Sequence, residues 1–172
     1  MPPARRRPTV SGAVPIDANL SGIDGGDLVT FALTVYNTGG SNAYGISLKD
    51  TIPTGFIKPA DAAALNLKVY RGNSSTAVAG GYTLALAPGG DQFTLVFDNT
   101  LASALAGNRG DGNGQDVYLI TYQLTADSSA VDDPGLVIAG STQTNTATVD
   151  FYTGQVGQTT DWTIKFGEPT DT

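Results

Sequence analysis

The side chains with which this chain could do chemistry are carboxylates, amides and hydroxyls, because its 172 residues include neither cysteine nor histidine. Histidine is the commonest general base and the commonest metal ligand in proteins, and the cysteine thiolate is a frequent nucleophile. A Ser-His-Asp triad is therefore impossible, and any zinc site would have to use carboxylates alone. These absences argue against most hydrolytic and redox mechanisms, so we predict that the chain is not an enzyme.

Two pairs of neighbouring acids are the remaining candidates for catalysis, Asp24 with Asp27 and Asp132 with Asp133. Glycoside hydrolysis requires two carboxyl groups on opposite sides of a substrate cleft. All four residues lie in stretches typical of turns, where aspartate is favoured because its side chain hydrogen-bonds the local backbone. We interpret them as turn residues and predict no catalytic site.

A glycine-rich stretch over 107–116, GNRGDGNGQD, contains the best candidate for a metal site. Oxygen-bearing side chains alternate there, as in the first half of a calcium-binding loop. The bidentate glutamate that ends an EF-hand loop is missing, and polar residues are also what any long hairpin turn needs. We predict no cofactor. Calcium is the one candidate that the sequence offers, with Asp111, Asn113, Gln115 and Asp116 as its candidate ligands.

The formal net charge of −7 makes nucleic acid an unsuitable partner, because lysine and arginine supply most of the affinity for phosphates. No apolar segment approaches the length needed to cross a membrane. We therefore expect neither nucleic-acid binding nor membrane insertion.

Strand periodicity dominates the chain. Between Leu28 and Asn37 the apolar residues recur at every second position, which is the pattern of a strand with one buried face. Pro53 has no backbone N–H for a ladder, so the second strand should end there or lie at a sheet edge. The residues expected to point inward are Val29, Phe31, Leu33, Val35, Ile46, Leu48, Leu65, Leu67, Val69, Tyr82, Leu84, Leu86, Phe93, Leu95, Phe97, Tyr118, Ile120, Tyr122, Leu124, Ala147, Val149 and Phe151.

Turn residues separate these short strands, and the only plausible helix is about one turn within 59–64. The pattern predicts an all-β sandwich of roughly eight to nine antiparallel strands. We expect a single sandwich domain over 9–166, a disordered or linker arm over 1–8 and a linker or tail over 167–172. These ends suggest that the chain is a mature or excised piece of a longer protein.

Three stretches of the chain form a recognisable series. In order they are GDLVTFALTVYNTGG, LKDTIPTGF and TNTATVDF. Together they resemble the domain of unknown function number eleven, a repeat of bacterial and archaeal surface proteins, and the related isopeptide-forming domains of fimbrial proteins. The resemblance covers about residues 24–152 and implies an immunoglobulin-like sandwich, usually in tandem, in secreted or cell-surface proteins such as adhesins, stalks and sheaths.

The fimbrial resemblance also implies a possible crosslink. In those relatives a lysine of an early strand joins an asparagine of a late strand beside a carboxylate. Asn145 is the corresponding asparagine, since it is in phase with Ala147 and Val149 and should point inward. However, Lys49 is out of phase with its apolar neighbours and should face water, so we do not expect the crosslink. The alternative is that Asn145 hydrogen-bonds backbone at the start of a strand.

The functional hypothesis is a non-catalytic structural module of a repetitive extracellular surface protein or filament. It would act as a spacer or assembly unit through end-to-end or strand-donation contacts with neighbouring copies. The donated strand would come from 9–14 or 160–166, and its candidate residues are Val10, Val14, Trp162, Ile164 and Phe166. The alternative hypothesis is a calcium-dependent adhesin module that binds a glycan or protein through the 107–116 loop.

Overall fold

The computed structural model describes residues 25–37, 39–72, 74–107, 117–127 and 145–153. The predicted arm, tail and terminal strands over 9–14 and 160–166 lie outside these residues. Within them the chain forms seven strands and two short 3₁₀ turns, the latter at Ala63–Leu65 and Leu101–Ser103. The strands are β1 (Leu28–Tyr36), β2 (Tyr44–Thr51), β3 (Lys68–Arg71), β4 (Tyr82–Leu86), β5 (Gln92–Phe97), β6 (Val117–Thr125) and β7 (Thr146–Tyr152).

The strands form two antiparallel sheets. One has the order β1-β6-β3, and the other has the order β4-β5-β2-β7. The predicted all-β, immunoglobulin-like sandwich is therefore confirmed. Each of the seven predicted strands within the described residues is present, and β2 ends at Thr51, just before Pro53 as expected.

The core lies between the two sheets and consists largely of inward-facing residues that periodicity predicts, joined by Ala43, Ile52 and Leu105. β1 pairs with β6 along its whole length, so that Phe31 lies opposite Tyr122. The Tyr122 ring stacks on Phe31 and meets the edge of Phe93 from the opposite sheet, with ring centroids 5.1 and 4.9 Å apart. Aromatic contacts of this kind join the two sheets through the middle of the sandwich.

β6 departs from the simple alternation because it is buried on both faces. Its inward residues Tyr118, Ile120, Tyr122 and Leu124 are buried as predicted, but so are Val117, Leu119 and Thr121 on the other face. β6 is the central strand of its sheet, and Leu119 lies between Thr34 of β1 and Tyr70 of β3. Burial of this outward face depends on what other parts of the chain cover it, which the sequence of β6 does not reveal.

Each 3₁₀ turn contributes one buried residue, Leu65 in the first and Ser103 in the second. The predicted helical turn within 59–64 forms at Ala63–Leu65, where the Asp61 carboxylate accepts a hydrogen bond from the backbone N–H of Ala64. The second 3₁₀ turn is held by Arg71 of β3. Its guanidinium donates to the carbonyl oxygens of Ala102 and Ala104 and lies 5.4 Å from the centre of the Tyr118 ring.

Candidate functional site

The feature of this sandwich that stands out chemically is a buried carboxyl group. Asp50 continues the phase of Ile46 and Leu48 along β2, so its side chain points into the core. It is 0% exposed. Removing a carboxylate from water is costly unless hydrogen bonds or an opposite charge compensate, so its surroundings decide its protonation.

Two side chains from other elements reach Asp50. The Nδ2 atom of Asn145, the residue before β7, donates to Asp50 Oδ2 at 3.1 Å and to the Tyr122 hydroxyl at 3.0 Å. Tyr122 projects from the middle of β6 in the opposite sheet and is also fully buried. We call Asp50, Tyr122 and Asn145 the polar cluster, which ties β2, β6 and the start of β7 together.

Two oxygens of the polar cluster have no donor. Asp50 Oδ1 and Asn145 Oδ1 are both buried, and neither receives a hydrogen bond from any part of the chain that the structure describes. Buried polar atoms in native proteins are almost always paired, and an unpaired one costs about 1–3 kcal/mol. The burial of these two oxygens without a donor is therefore unusual for a native protein.

The surroundings favour the neutral forms of both acids in the cluster. Burial raises the pKa of Asp50 above its ordinary value, and hydrogen bonds from Asn145, Tyr122 and the Thr51 backbone only partly oppose this effect. Burial also raises the pKa of Tyr122, and the neighbouring Asp50 carboxyl adds to the increase. The Tyr122 hydroxyl consequently keeps its proton at neutral pH.

Asn145 points inward, and its hydrogen bonds go to side chains rather than to backbone. The carboxylate that the fimbrial resemblance implies has a counterpart in Asp50. The lysine that the resemblance implies has no counterpart in the described ranges. Lys49, Lys58 and Lys68 are all exposed there, and they share no hydrogen bond with Asn145. The cluster thus has a tyrosine hydroxyl beside the asparagine. The expectation that no isopeptide crosslink forms stays a prediction.

Sequence reasoning missed Asp50 and Tyr122 as members of a site. The signal for Asp50 was present, because a carboxylate in phase with two apolar strand residues is predicted to be buried. For Tyr122 there was no comparable signal, since an inward tyrosine is an ordinary core residue.

The second notable feature is the edge strand β7. Ala147 pairs with Asp50, and Val149 pairs with Leu48, so both side chains lie on the inward face of the sheet. Yet Val149 is 39% exposed whereas Leu48 is 1% exposed, and Ala147 is exposed as well. Periodicity was correct about the direction of these side chains but wrong about their burial.

Most other predicted sites lie outside the described residues. This applies to the calcium candidates Asp111, Asn113, Gln115 and Asp116 and to the donor-strand candidates Val10, Val14, Trp162, Ile164 and Phe166. Across the ranges that the structure describes, no three His, Cys, Asp or Glu side chains are grouped so that they could hold a metal ion. No helix there is long and apolar enough to cross a bilayer. Calcium binding stays a prediction.

No family model, curated protein or solved structure matches the chain. The resemblance to the surface-protein repeat therefore stays a prediction from three sequence stretches. The fold, the polar cluster and the side of β7 that no described strand pairs with are the observations that bear on function.

Proposed function

We propose that this chain is a non-catalytic structural module of a repetitive extracellular surface protein or filament. It acts as a spacer or assembly unit and binds neighbouring copies by strand donation or end to end. The observation that carries this proposal is the edge of β7, which no described strand covers and where the inward-facing Ala147 and Val149 are exposed. The sequence resemblance to surface-protein repeats supports the extracellular location.

The edge of β7 has the properties of a strand acceptor. β7 is the last strand of the order β4-β5-β2-β7, and among the described strands none pairs with its outer side. An unpaired edge presents backbone N–H and C=O groups that can bind another strand. A strand added there would continue the sheet, and its inward side chains would cover Val149 and Ala147.

The donor would be one of the two predicted terminal strands, 9–14 or 160–166. In 160–166 the apolar residues Trp162, Ile164 and Phe166 alternate, so one face of an added strand would carry all three. The 9–14 segment carries Val10 and Val14 in the same phase, with smaller side chains. Either segment would place its apolar face over the inward face of β7.

The chemistry of the interior supports a role without catalysis. The chain has no histidine and no cysteine. Asp50 is the only buried acid among the described residues, and it is engaged with an amide and a phenol. General acid–base chemistry on a substrate requires a carboxyl group that the substrate can reach, and a fully buried one does not qualify.

The β7 edge can be tested by placing a charge where the added strand would pack. We expect Val149→Lys to abolish filaments, because docking would bury the lysine ammonium. The isolated module should stay folded, because Val149 is already 39% exposed and the long lysine side chain can reach water. Thr146→Lys is the matched control, since it adds the same charge to the outward face of β7. Electron microscopy and sedimentation velocity over a concentration series provide the measurement.

Two outcomes would contradict the proposal. If Val149→Lys assembles like the unmodified chain while remaining folded, the acceptor is not the β7 edge. If the unmodified chain stays monomeric at every concentration, the module does not assemble through its own copies.

Deletion identifies the donor. We expect removal of residues 1–14 to abolish filaments while leaving a folded monomer with an unchanged circular-dichroism spectrum, because the 9–14 segment would be the added strand. Removal of 160–172 is the parallel variant and tests the other segment. Filaments that persist in both deletions would refute strand donation.

A further inference from the structure

The two donorless oxygens of the polar cluster belong to groups that already share a hydrogen bond. Asp50 Oδ2 accepts from Asn145 Nδ2, and the atoms left over are the second oxygen of the carboxyl and the oxygen of the amide. Carboxyl and carboxamide groups are both planar and of the same shape. A first hydrogen bond joins the amide N–H to one carboxyl oxygen. A second hydrogen bond, between the other carboxyl oxygen and the amide oxygen, then closes a ring if the carboxyl group is protonated.

We infer that the Asp50 carboxyl binds a proton at Oδ1 and donates it to Asn145 Oδ1, forming a cyclic acid–amide pair that anchors the start of β7 to β2. Asn145 uses its two amide hydrogens on Asp50 Oδ2 and on the Tyr122 oxygen. A single proton therefore satisfies both oxygens that otherwise lack a donor.

A proton fits these oxygens better than a metal ion or a positive side chain. Asp50 faces Phe93 of β5, Ala147 of β7 and Tyr122 of β6, and of these only the tyrosine can ionise. Its chain neighbours Lys49 and Thr51 are exposed on the other face of the sheet. No charged group among the described residues contributes to the pKa of Asp50, which burial raises. An isolated buried carboxyl without a countercharge favours its neutral form.

With this arrangement, the anchoring of β7 weakens as the pH rises, whereas a carboxyl group with a lowered pKa stabilises the fold more at high pH. The pKa of Asp50 is raised in the folded protein, so folding binds the proton more tightly than the unfolded chain does. The contribution to stability is complete below the ordinary carboxyl pKa and is lost as the pH rises through the higher folded value. Ionisation leaves the hydrogen bond from Asn145 Nδ2 to Asp50 Oδ2 in place, but it turns the other edge of the pair into two facing acceptor oxygens and places an uncompensated charge in the core, which weakens the attachment of β7.

Asp50→Asn tests the inference because an amide can reproduce the ring with its own N–H at every pH. As the pH rises from 4 to 9, we expect the melting temperature of the unmodified protein to fall relative to that of Asp50→Asn by about 3–6 °C. Asp150→Asn is the matched control: it removes a carboxylate from the exposed face of β7 and should follow the unmodified protein. An Asp50→Asn variant that follows the unmodified protein, or is less stable at every pH, would overturn the inference.

A direct measurement needs no variant. The carbon-13 resonance of the Asp50 side-chain carboxyl should titrate with a midpoint above the ordinary aspartate pKa of about 3.9 in the folded, full-length chain. The midpoint should not change when calcium or sodium chloride is added. An ordinary midpoint would overturn the inference. So would a midpoint that falls on addition of calcium, since the donorless oxygens would then be metal ligands.

Discussion

Replacing Phe93 by alanine should lower the free energy of unfolding by about 3–5 kcal/mol. Phe93 is fully buried on β5, which has a paired strand on each side, and its ring meets Tyr122 of the opposite sheet edge to face at 4.9 Å. Truncation removes the apolar contacts of the ring and leaves a cavity between the two sheets. The sheets cannot move together to fill this cavity without disturbing the rest of the core. Because small domains have only about 5–15 kcal/mol of stability, this one change removes a large fraction of it.

The measurement is urea unfolding followed by circular dichroism, with Val96→Ala as the control. Val96 lies on the same strand but faces outward and is 38% exposed, so its truncation should change the free energy of unfolding by about 0.5 kcal/mol or less. Similar losses for Phe93→Ala and Val96→Ala would mean that the two sheets do not pack as described.

Gly90→Ala should destabilise the protein by about 3 kcal/mol, through both backbone strain and a steric clash. Gly90 has φ +70° in the turn between β4 and β5, a conformation that an L-residue with a side chain rarely adopts. A Cβ atom there would lie 2.5 Å from the carbonyl oxygen of Pro59, which is backbone and cannot rotate away. The segment around Pro59 would therefore have to move off the turn.

Gly89→Ala separates these two effects. Gly89 also has a positive φ, +92°, but a Cβ atom there would meet nothing within 4 Å. It should therefore cost only the conformational strain of about 1–2 kcal/mol. Thermal unfolding of both variants gives the comparison. Equal destabilisation would show that the segment around Pro59 does not lie against this turn.

The polar cluster also stabilises one register of β7 on β2. Edge strands are prone to slip in register, and a slip of one residue exchanges the two faces of the strand. With Asn145 held by both Asp50 and Tyr122, the observed register places Ala147 opposite Asp50 and Val149 opposite Leu48. A slipped β7 would leave the buried carboxyl without its amide partner, which disfavours the slip. A specific register for β7 is what a defined acceptor edge requires.

The direction in which each strand residue points, inward or outward, can be predicted from the amino-acid sequence alone. Side chains alternate along a strand with period two, which is a local property, so the inward phase of β1, β4 and β5 is visible in the printed sequence. Glycine turns and Pro53 mark strand ends for equally local reasons. The lack of histidine and cysteine is likewise a matter of composition, and it carries the expectation of a role without catalysis.

The partners of each inward face, in contrast, depend on long-range contacts that the fold creates. Asn145 and Asp50 are 95 residues apart in the chain, and no local pattern pairs them. In the same way, Leu119 is buried although it lies on the outward face of β6, and Val149 is exposed although it lies on the inward face of β7. Burial depends on what the rest of the chain places over each face, which long-range packing sets, whereas periodicity reports only the direction of a side chain.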